Sequence, residues 1–376
     1  MIKNNRIKTT LALAILLIAG FTCDAVAKRK PVKIFMLSGQ SNMTGRGFLG
    51  DLDKPATDQQ ARLVRYIMQP ENVEKYKYLY SGPNKTETGW TIRDDVFISL
   101  GAWPHPKPGE EGYSVYNKHG GLGPYYGGRG SRGFGPEYAI GHVLGNYYDE
   151  TVLLVKVSFG GNSLAENFRP PSSGGKLGDK YPLVGKTVRD TIKHLPEIVP
   201  GYDKQQGYEI VGFLWNQGLS DIMEPRASEY ESNLVNLIKD LRKELGASGM
   251  KTVVAVSGNW GWDLAELKER EMPEDKRTAL LAAIRKVTDA QLAVAHRAEF
   301  KGSVATAETR DFWRPRKEFG GHGTDTHWQA NGESYWLIGE AMGLEMLKLL
   351  QSDAVALASK KSEGPSVEKK YPFPRQ

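Results

Sequence analysis

The sequence predicts an α/β fold with a parallel sheet covered by helices on both faces. Two observations carry this. Short apolar, β-branched runs recur at 32–37, 151–157, 208–214, 252–256 and 302–305, reading as about five buried strands. Segments with helical spacing alternate with them at 137–147, 228–245, 276–296 and 332–350. In such folds ligands sit beyond the carboxyl ends of the strands, so chemistry is sought just after each run.

The first strand leads into Ser38-Gly39-Gln40-Ser41-Asn42-Met43-Thr44-Gly45. A serine in a glycine-flanked turn presents its hydroxyl outward beside free backbone amides. Taken alone, Ser41 reads equally well as the cap of a following helix. The second strand ends in Phe159-Gly160-Gly161-Asn162-Ser163, where paired glycines offer amide donors to an oxyanion or simply make a tight turn. After the third comes Trp215-Asn216-Gln217-Gly218-Leu219-Ser220-Asp221, a cluster of neutral donors that is also compatible with an ordinary polar loop. Ahead of the last helix stands Gly321-His322-Gly323-Thr324-Asp325-Thr326-His327-Trp328. Histidine is the commonest general base near neutral pH, and a loop places His327 where it can swing against the first strand's end.

Two stretches break the rhythm. Residues from about 69 to 132 are dense in Gly, Pro, Tyr and Trp, and read as a long ordered insertion near the site rather than a second domain. The segment 353–376 is expected to be a disordered tail, since 359–376 is polar, charged and proline-bearing. The body is therefore expected to be one domain spanning 28–352. At the N-terminus, Lys3, Arg6 and Lys8 precede an apolar run at 11–19, and Ala25-Val26-Ala27 supplies a cleavage site. This is the pattern of a secretory signal peptide over 1–27, too short an apolar run to span a bilayer, which takes ~20 residues. Export to the periplasm or beyond is expected, without stable membrane insertion after cleavage. The alternative is a lipid anchor at Cys23, disfavoured by the poor approach Gly20-Phe21-Thr22. Cleavage after Ala27 removes the single cysteine, so no disulfide or cysteine site is expected.

The formal net charge of +6 overstates the basic character of the body. The signal carries Lys3, Arg6 and Lys8 against Asp24, a net two; the segment from Asp353 carries five basic and three acidic residues, another net two. No basic stripe remains, so nucleic acid is not an expected partner.

The blocks Gly39-Gln40-Ser41-Asn42-Met43, Phe159-Gly160-Gly161, 215–221 and 325–328 together resemble the SGNH-hydrolase superfamily, and within it the sialate O-acetylesterase and related carbohydrate-esterase group. The likeness runs from Val32 to about Leu350. It implies a flavodoxin-like three-layer α/β/α sandwich, Ser41 as nucleophile and His327 as base. Oxyanion donors would be the Ser41 amide, Gly161 or Gly160, and Gln217 or Ser220, with Gln40 and Asn42 beside the nucleophile. The implied reaction is ester hydrolysis through an acyl-enzyme, with no metal or organic cofactor and with an acetylated carbohydrate as substrate. Three departures stand out. Leu219 occupies the place of a glutamate found in many such esterases, and Ser220 that of the usual asparagine. The family's acid lies three residues before the histidine, where this chain has Thr324; Asp325 stands one residue later and is the expected third member of the triad.

Trp90, Trp260, Trp262 and Trp313 are candidate stacking surfaces for sugars or ordinary core residues, and Arg314 is a candidate partner for an acidic sugar. Two other functions compete. A glycan-binding protein on a decayed esterase scaffold would explain Leu219 and the shifted aspartate. A metal hydrolase using His119, His322 and His327 has no ligand-spaced motif in its favour.

Overall fold

The computed structural model describes residues 30–101, 110–111, 117–128, 133–321 and 323–358, with the side chains of the last helix described to Ser352. The expected signal segment 1–27 with Cys23, His322 and residues 359–376 lie outside the described residues. Among the described residues nine strands form in chain order: β1 Val32–Gly39, β2 Gly47–Phe48, β3 Val96–Leu100, β4 Lys118–Gly121, β5 Gly133–Phe134, β6 Val152–Ser158, β7 Tyr208–Asn216, β8 Lys251–Ala255 and β9 Val304–Ala307. Seven make one sheet in the order β4-β3-β6-β1-β7-β8-β9, parallel except for β4 at one edge. β2 and β5 pair separately.

The sheet has two strands more than the expected five, and both come from the 69–132 stretch. The run Val-Phe-Ile-Ser-Leu of β3 is wholly buried. Its flanking turn residues mask it in the sequence. The insertion thus extends the sheet instead of forming a separate unit.

Strand alternation sorts the core into two layers. Phe35 and Leu37 face the helices Glu137–Tyr147 and Gly332–Ala358, meeting Tyr138, Trp336 and Met342 in one apolar cluster. Ile34 and Met36 face the other way, with Val188, Leu234, Ile238 and Val287 from the helices Tyr181–Lys193, Arg226–Glu244 and Glu274–His296. The result is a three-layer α/β/α sandwich, the fold expected of an SGNH hydrolase. The last helix packs closely because of Gly339, where a Cβ would lie 2.3 Å from the Pro136 carbonyl oxygen. That helix continues to Ala358, six residues into the segment expected to be tail. No helix among the described residues is long and apolar enough to cross a membrane.

One ion pair ties the sheet to the turn after β1. Lys156 on β6 is fully buried, and its ammonium donates to Glu137 Oε2 at 2.6 Å, to the Thr44 carbonyl at 2.8 Å and to the Tyr126 carbonyl at 3.0 Å. Burial pushes the ammonium pKa down, and Glu137 opposes that shift. The other Glu137 oxygen accepts from the Gly135 amide at 2.7 Å. Removing one charge of a buried pair strands the other, at about 3–5 kcal/mol. Glu137→Gln is therefore expected to lower unfolding free energy by about that amount in a urea titration. A loss under about 1 kcal/mol would show that the pair is not a clamp.

Candidate active site

Gly39 makes the turn that exposes Ser41. Its φ is +147°, and a Cβ there would lie 2.1 Å from the Asn216 carbonyl oxygen, so β1 and β7 meet only with glycine at this position. The Gln40 amide then donates to that carbonyl at 3.1 Å, and residues Ser41–Thr44 form one helical turn. Thr44 Oγ1 lies 2.9 Å from Ser158 Oγ, fastening the turn to β6.

His327 arrives from the far end of the chain. Its Nε2 stands 2.9 Å from Ser41 Oγ, and its Nδ1 stands 2.7 Å from Thr324 Oγ1. Thr324 Oγ1 is in turn 2.9 Å from Thr326 Oγ1. Two proton arrangements satisfy all three contacts, one the reverse of the other, and general-base chemistry uses the first. In the first, Ser41 donates to Nε2, Nδ1–H donates to Thr324, and Thr324 donates to Thr326. In that arrangement Nε2 is left to accept a proton.

The carboxylate of Asp325 is not on the imidazole, which corrects the expected triad. Its Oδ2 accepts from Trp260 Nε1 at 2.7 Å and from the Arg270 guanidinium, and its Oδ1 accepts from the Thr326 amide at 2.9 Å. Residues 325 and 324 project differently from the 3₁₀ turn Asp325–Ala330, so it is the residue three before the histidine whose side chain meets Nδ1. Beyond His327 the chain is strained. Trp328, Gln329 and Ala330 have φ of +53°, +55° and +57°, a region that disfavours side chains by roughly 1–2 kcal/mol per residue. Compensating contacts hold it there. The Gln329 amide donates to the Thr324 carbonyl at 3.0 Å, and Arg316 reaches Gln329 Oε1 at 2.6 Å.

The remaining expected site residues divide into backbone donors and structural side chains. Gly160 stands against the nucleophile, since a Cβ on it would lie 3.8 Å from Ser41 Cβ, and Gly161 turns with φ +72°. Among the described residues the amides of Ser41, Gly160 and Gly161 donate to no acceptor within the protein. Gln217 is corrected as an oxyanion donor. Both hydrogens of its amide are used, on Asp221 Oδ2 at 2.5 Å and the Asn162 carbonyl at 3.2 Å, and its Oε1 accepts from Tyr230 at 3.0 Å. Asp221 also receives the Leu164 and Ala165 amides, while burial raises its pKa. Gln40 Oε1 accepts from the amides of Gly218 and Ser220 at 3.1 and 3.2 Å, which locks the β7 loop against β1. Ser220 is part of that lock through its amide. Asn42 Oδ1 accepts from Tyr335 at 3.1 Å, and its Nδ2 lies 3.5 Å from Asn259 Oδ1.

Asn259, Tyr335 and Thr324 are the residues that sequence reasoning missed. Asn259 Nδ2 donates to the Asp325 carbonyl at 2.9 Å, so it spans from the serine turn to the histidine loop. It follows β8, and the strand-end rule that singled out the other loops would have reached it. Of the tryptophans, Trp90, Trp260 and Trp313 are buried and Trp262 is exposed. Arg314 is committed to Glu333, at 2.8 and 2.9 Å, which removes it as a partner for an acidic sugar. Of the suggested metal ligands, His119 lies on β4, three strands from β1, far from His327.

Beside Ser41, over the ends of β3 and β6, opens a cavity of about 550 Å³ lined by Arg46, Phe159, Asn162, Lys180 and Lys186 among others. Lys180 and Lys186 carry their own counter-ions, Asp179 and Asp190. Arg46 has no carboxylate partner among the described residues, and none of the described residues lining the cavity is acidic.

A serine hydroxyl on a histidine at the carboxyl end of a parallel sheet, with free amides beside it, is the arrangement that serine–histidine hydrolases use. Residues 115–298 match the family model described as "Carbohydrate esterase, sialic acid-specific acetylesterase". Over that segment the chain is similar to this family of carboxylic ester hydrolases. No curated protein sequence matches the chain. Among solved structures it is similar to a protein from Arabidopsis thaliana at 18% identity and TM-score 0.49, covering 85% of this chain and 98% of that one. It is similar also to a carbohydrate acetylesterase from Xanthomonas citri at 12% and 0.44, covering 83% and 56%, and to NanS at 12% and 0.48, covering 86% and 99%.

The Asp325 geometry generates a test. Asp325→Asn is expected to lower stability by about 0.5–2 kcal/mol, as for a lost loop cap, with kcat per folded molecule within a few-fold of the parent. A fall near 10⁴, the effect of neutralising an orienting acid, would place the carboxylate on the imidazole during catalysis.

Proposed function

We propose that the chain is an exported serine esterase that removes O-acetyl groups from a carbohydrate through an acyl-enzyme. The observation that carries the mechanism is the contact of Ser41 Oγ with His327 Nε2. In the first step Ser41 attacks the acyl carbonyl carbon as Nε2 takes its proton. The amides of Ser41 and of Gly160 or Gly161 receive the oxyanion, and the imidazolium returns its proton to the departing sugar oxygen. A water, deprotonated by the same nitrogen, then releases the acid. Thr324 keeps Nδ1 protonated throughout and adds no charge. The cavity is of a size for a sugar ring, and Arg46, without a carboxylate partner among the described residues, fits a unit that carries a carboxylate.

Acetate release from a panel of acetylated glycans tests the activity. Ser41→Ala is expected to fold normally and to lose roughly 10³-fold or more in kcat. Near-native turnover in that variant, or no acetate from any ester with the parent, would contradict the proposal.

Thr324→Val is expected to lower kcat by roughly ten- to a hundredfold, a part of what general-base catalysis contributes. It should also change the pH profile of kcat, because the imidazole loses its Nδ1 partner. An unaltered profile would remove Thr324 from the mechanism.

Export rests on the N-terminal pattern alone. Intact mass of the exported protein is expected to begin at Lys28; a lipid-modified Cys23 would overturn the cleavage site.

A further inference from the structure

Trp262 is the one large aromatic of the four candidates that remains at the surface, 58% exposed. It is also held in place. Its Nε1 donates to Asp311 Oδ1 at 2.7 Å, and the Arg310 guanidinium lies over its ring with 3.7 Å to the centroid. Arg310 is itself fixed by Glu308, at 2.9 and 2.7 Å. One edge and one face of the indole are therefore occupied, which leaves the opposite face as the one a ligand can meet. An exposed tryptophan on a mobile rotamer would be an ordinary surface residue; here a cation and a carboxylate immobilise it before any ligand arrives. Pre-organisation of this kind removes the ordering cost that weakens binding to flexible side chains.

Its position follows from the topology. Trp262 lies in the loop after β8, three residues past Asn259, which touches both Asn42 and the histidine loop. Arg310 lies just after β9. Both loops leave the same end of the sheet as Ser41, because β1, β8 and β9 are parallel. In the strand order β8 stands two places from β1 and β9 three, or about 10 and 14 Å at the usual strand spacing. The cavity beside Ser41 lies in the opposite direction, over β3 and β6. Ser41 thus sits between a cavity and an aromatic face, a span wider than one pyranose ring.

We propose that Trp262 is a sugar-stacking subsite that binds a ring other than the one losing its acetyl group, so that the preferred substrate is an oligosaccharide or longer glycan and not a monosaccharide. The C–H face of a pyranose packs on the free indole face, and the Arg310 charge on the hidden face keeps the ring oriented. This rests on the reading of the chain as a glycan esterase, and the experiment separates the two.

The probe is a ladder of acetylated galacturonate oligomers, from monomer to pentamer, given to the full chain and to Trp262→Ala and Trp262→Phe, with thermal midpoints measured on the same samples. With the parent, kcat/KM is expected to rise about tenfold or more between monomer and trimer, chiefly through KM, as one aromatic contact allows. Trp262→Ala should abolish that gain and Trp262→Phe should keep part of it. An equal gain in Trp262→Ala, or no gain with length in the parent, would overturn the subsite. If the parent releases no acetate from any member, the esterase reading of these substrates fails. Binding of the unacetylated ladder to Ser41→Ala, followed by calorimetry, then decides the subsite alone: affinity that grows with length and is lost in Ser41→Ala/Trp262→Ala supports it, and length-independent affinity overturns it.

Discussion

The 2.9 Å contact between His327 Nε2 and Ser41 Oγ joins residues 286 apart in sequence, and the rest of the site serves to hold it. Neither partner is on a long rigid element. Ser41 begins a single helical turn, and His327 lies in a loop whose next three residues have left-handed backbones. Each loop left to itself would sample many positions, and ordering it opposes folding. The protein meets this with polar ties between the loops. Asn42 reaches Tyr335 and Asn259, Asn259 reaches the Asp325 backbone, and the Asp325 carboxylate holds Trp260 and Arg270. The aspartate expected on the imidazole therefore acts one step away, by placing the segment that carries it.

The same division runs through the sheet. Side chains that the sequence offers as oxyanion donors are consumed in joining loops: Gln40 to the amides after β7, and Gln217 to Asp221 and Tyr230. The backbone amides of Ser41, Gly160 and Gly161 are the donors left without an acceptor among the described residues. Backbone donors have a geometric advantage here, since their direction is set by the strands and needs no rotamer to be frozen. Lys156 supports this from beneath. Its buried ammonium binds the Thr44 carbonyl at the end of the serine turn, which makes the turn part of the sheet's core.

How much of this was legible in the sequence varies with how local the signal is. Strands β1, β6, β7, β8 and β9 are runs rich in apolar and β-branched residues and were readable as such. β3 is equally apolar but short and set among turn residues, so its pairing with β6 could not be read. The helix Tyr181–Lys193 was missed because its buried face includes Gly185, Thr187 and Thr191, which blur the apolar period. Ser41 and His327 were legible through their motifs. The partner of Nδ1 was not, because a loop's side-chain directions depend on dihedrals that no spacing rule contains; Thr324 kept the family's position while Asp325 kept the family's chemistry. Nor could composition separate Trp262 from Trp90, Trp260 and Trp313, since burial depends on tertiary packing alone.

In the proposed mechanism Ser41 carries the acyl group between two half-reactions driven by His327. The most direct measurement is mass spectrometry of the protein quenched during turnover of an ester whose deacylation is slow. One acyl group is expected on the peptide containing Ser41, accumulating in the parent and absent in His327→Ala. Sustained turnover with no acylated peptide, or an acyl group on another residue, would contradict it.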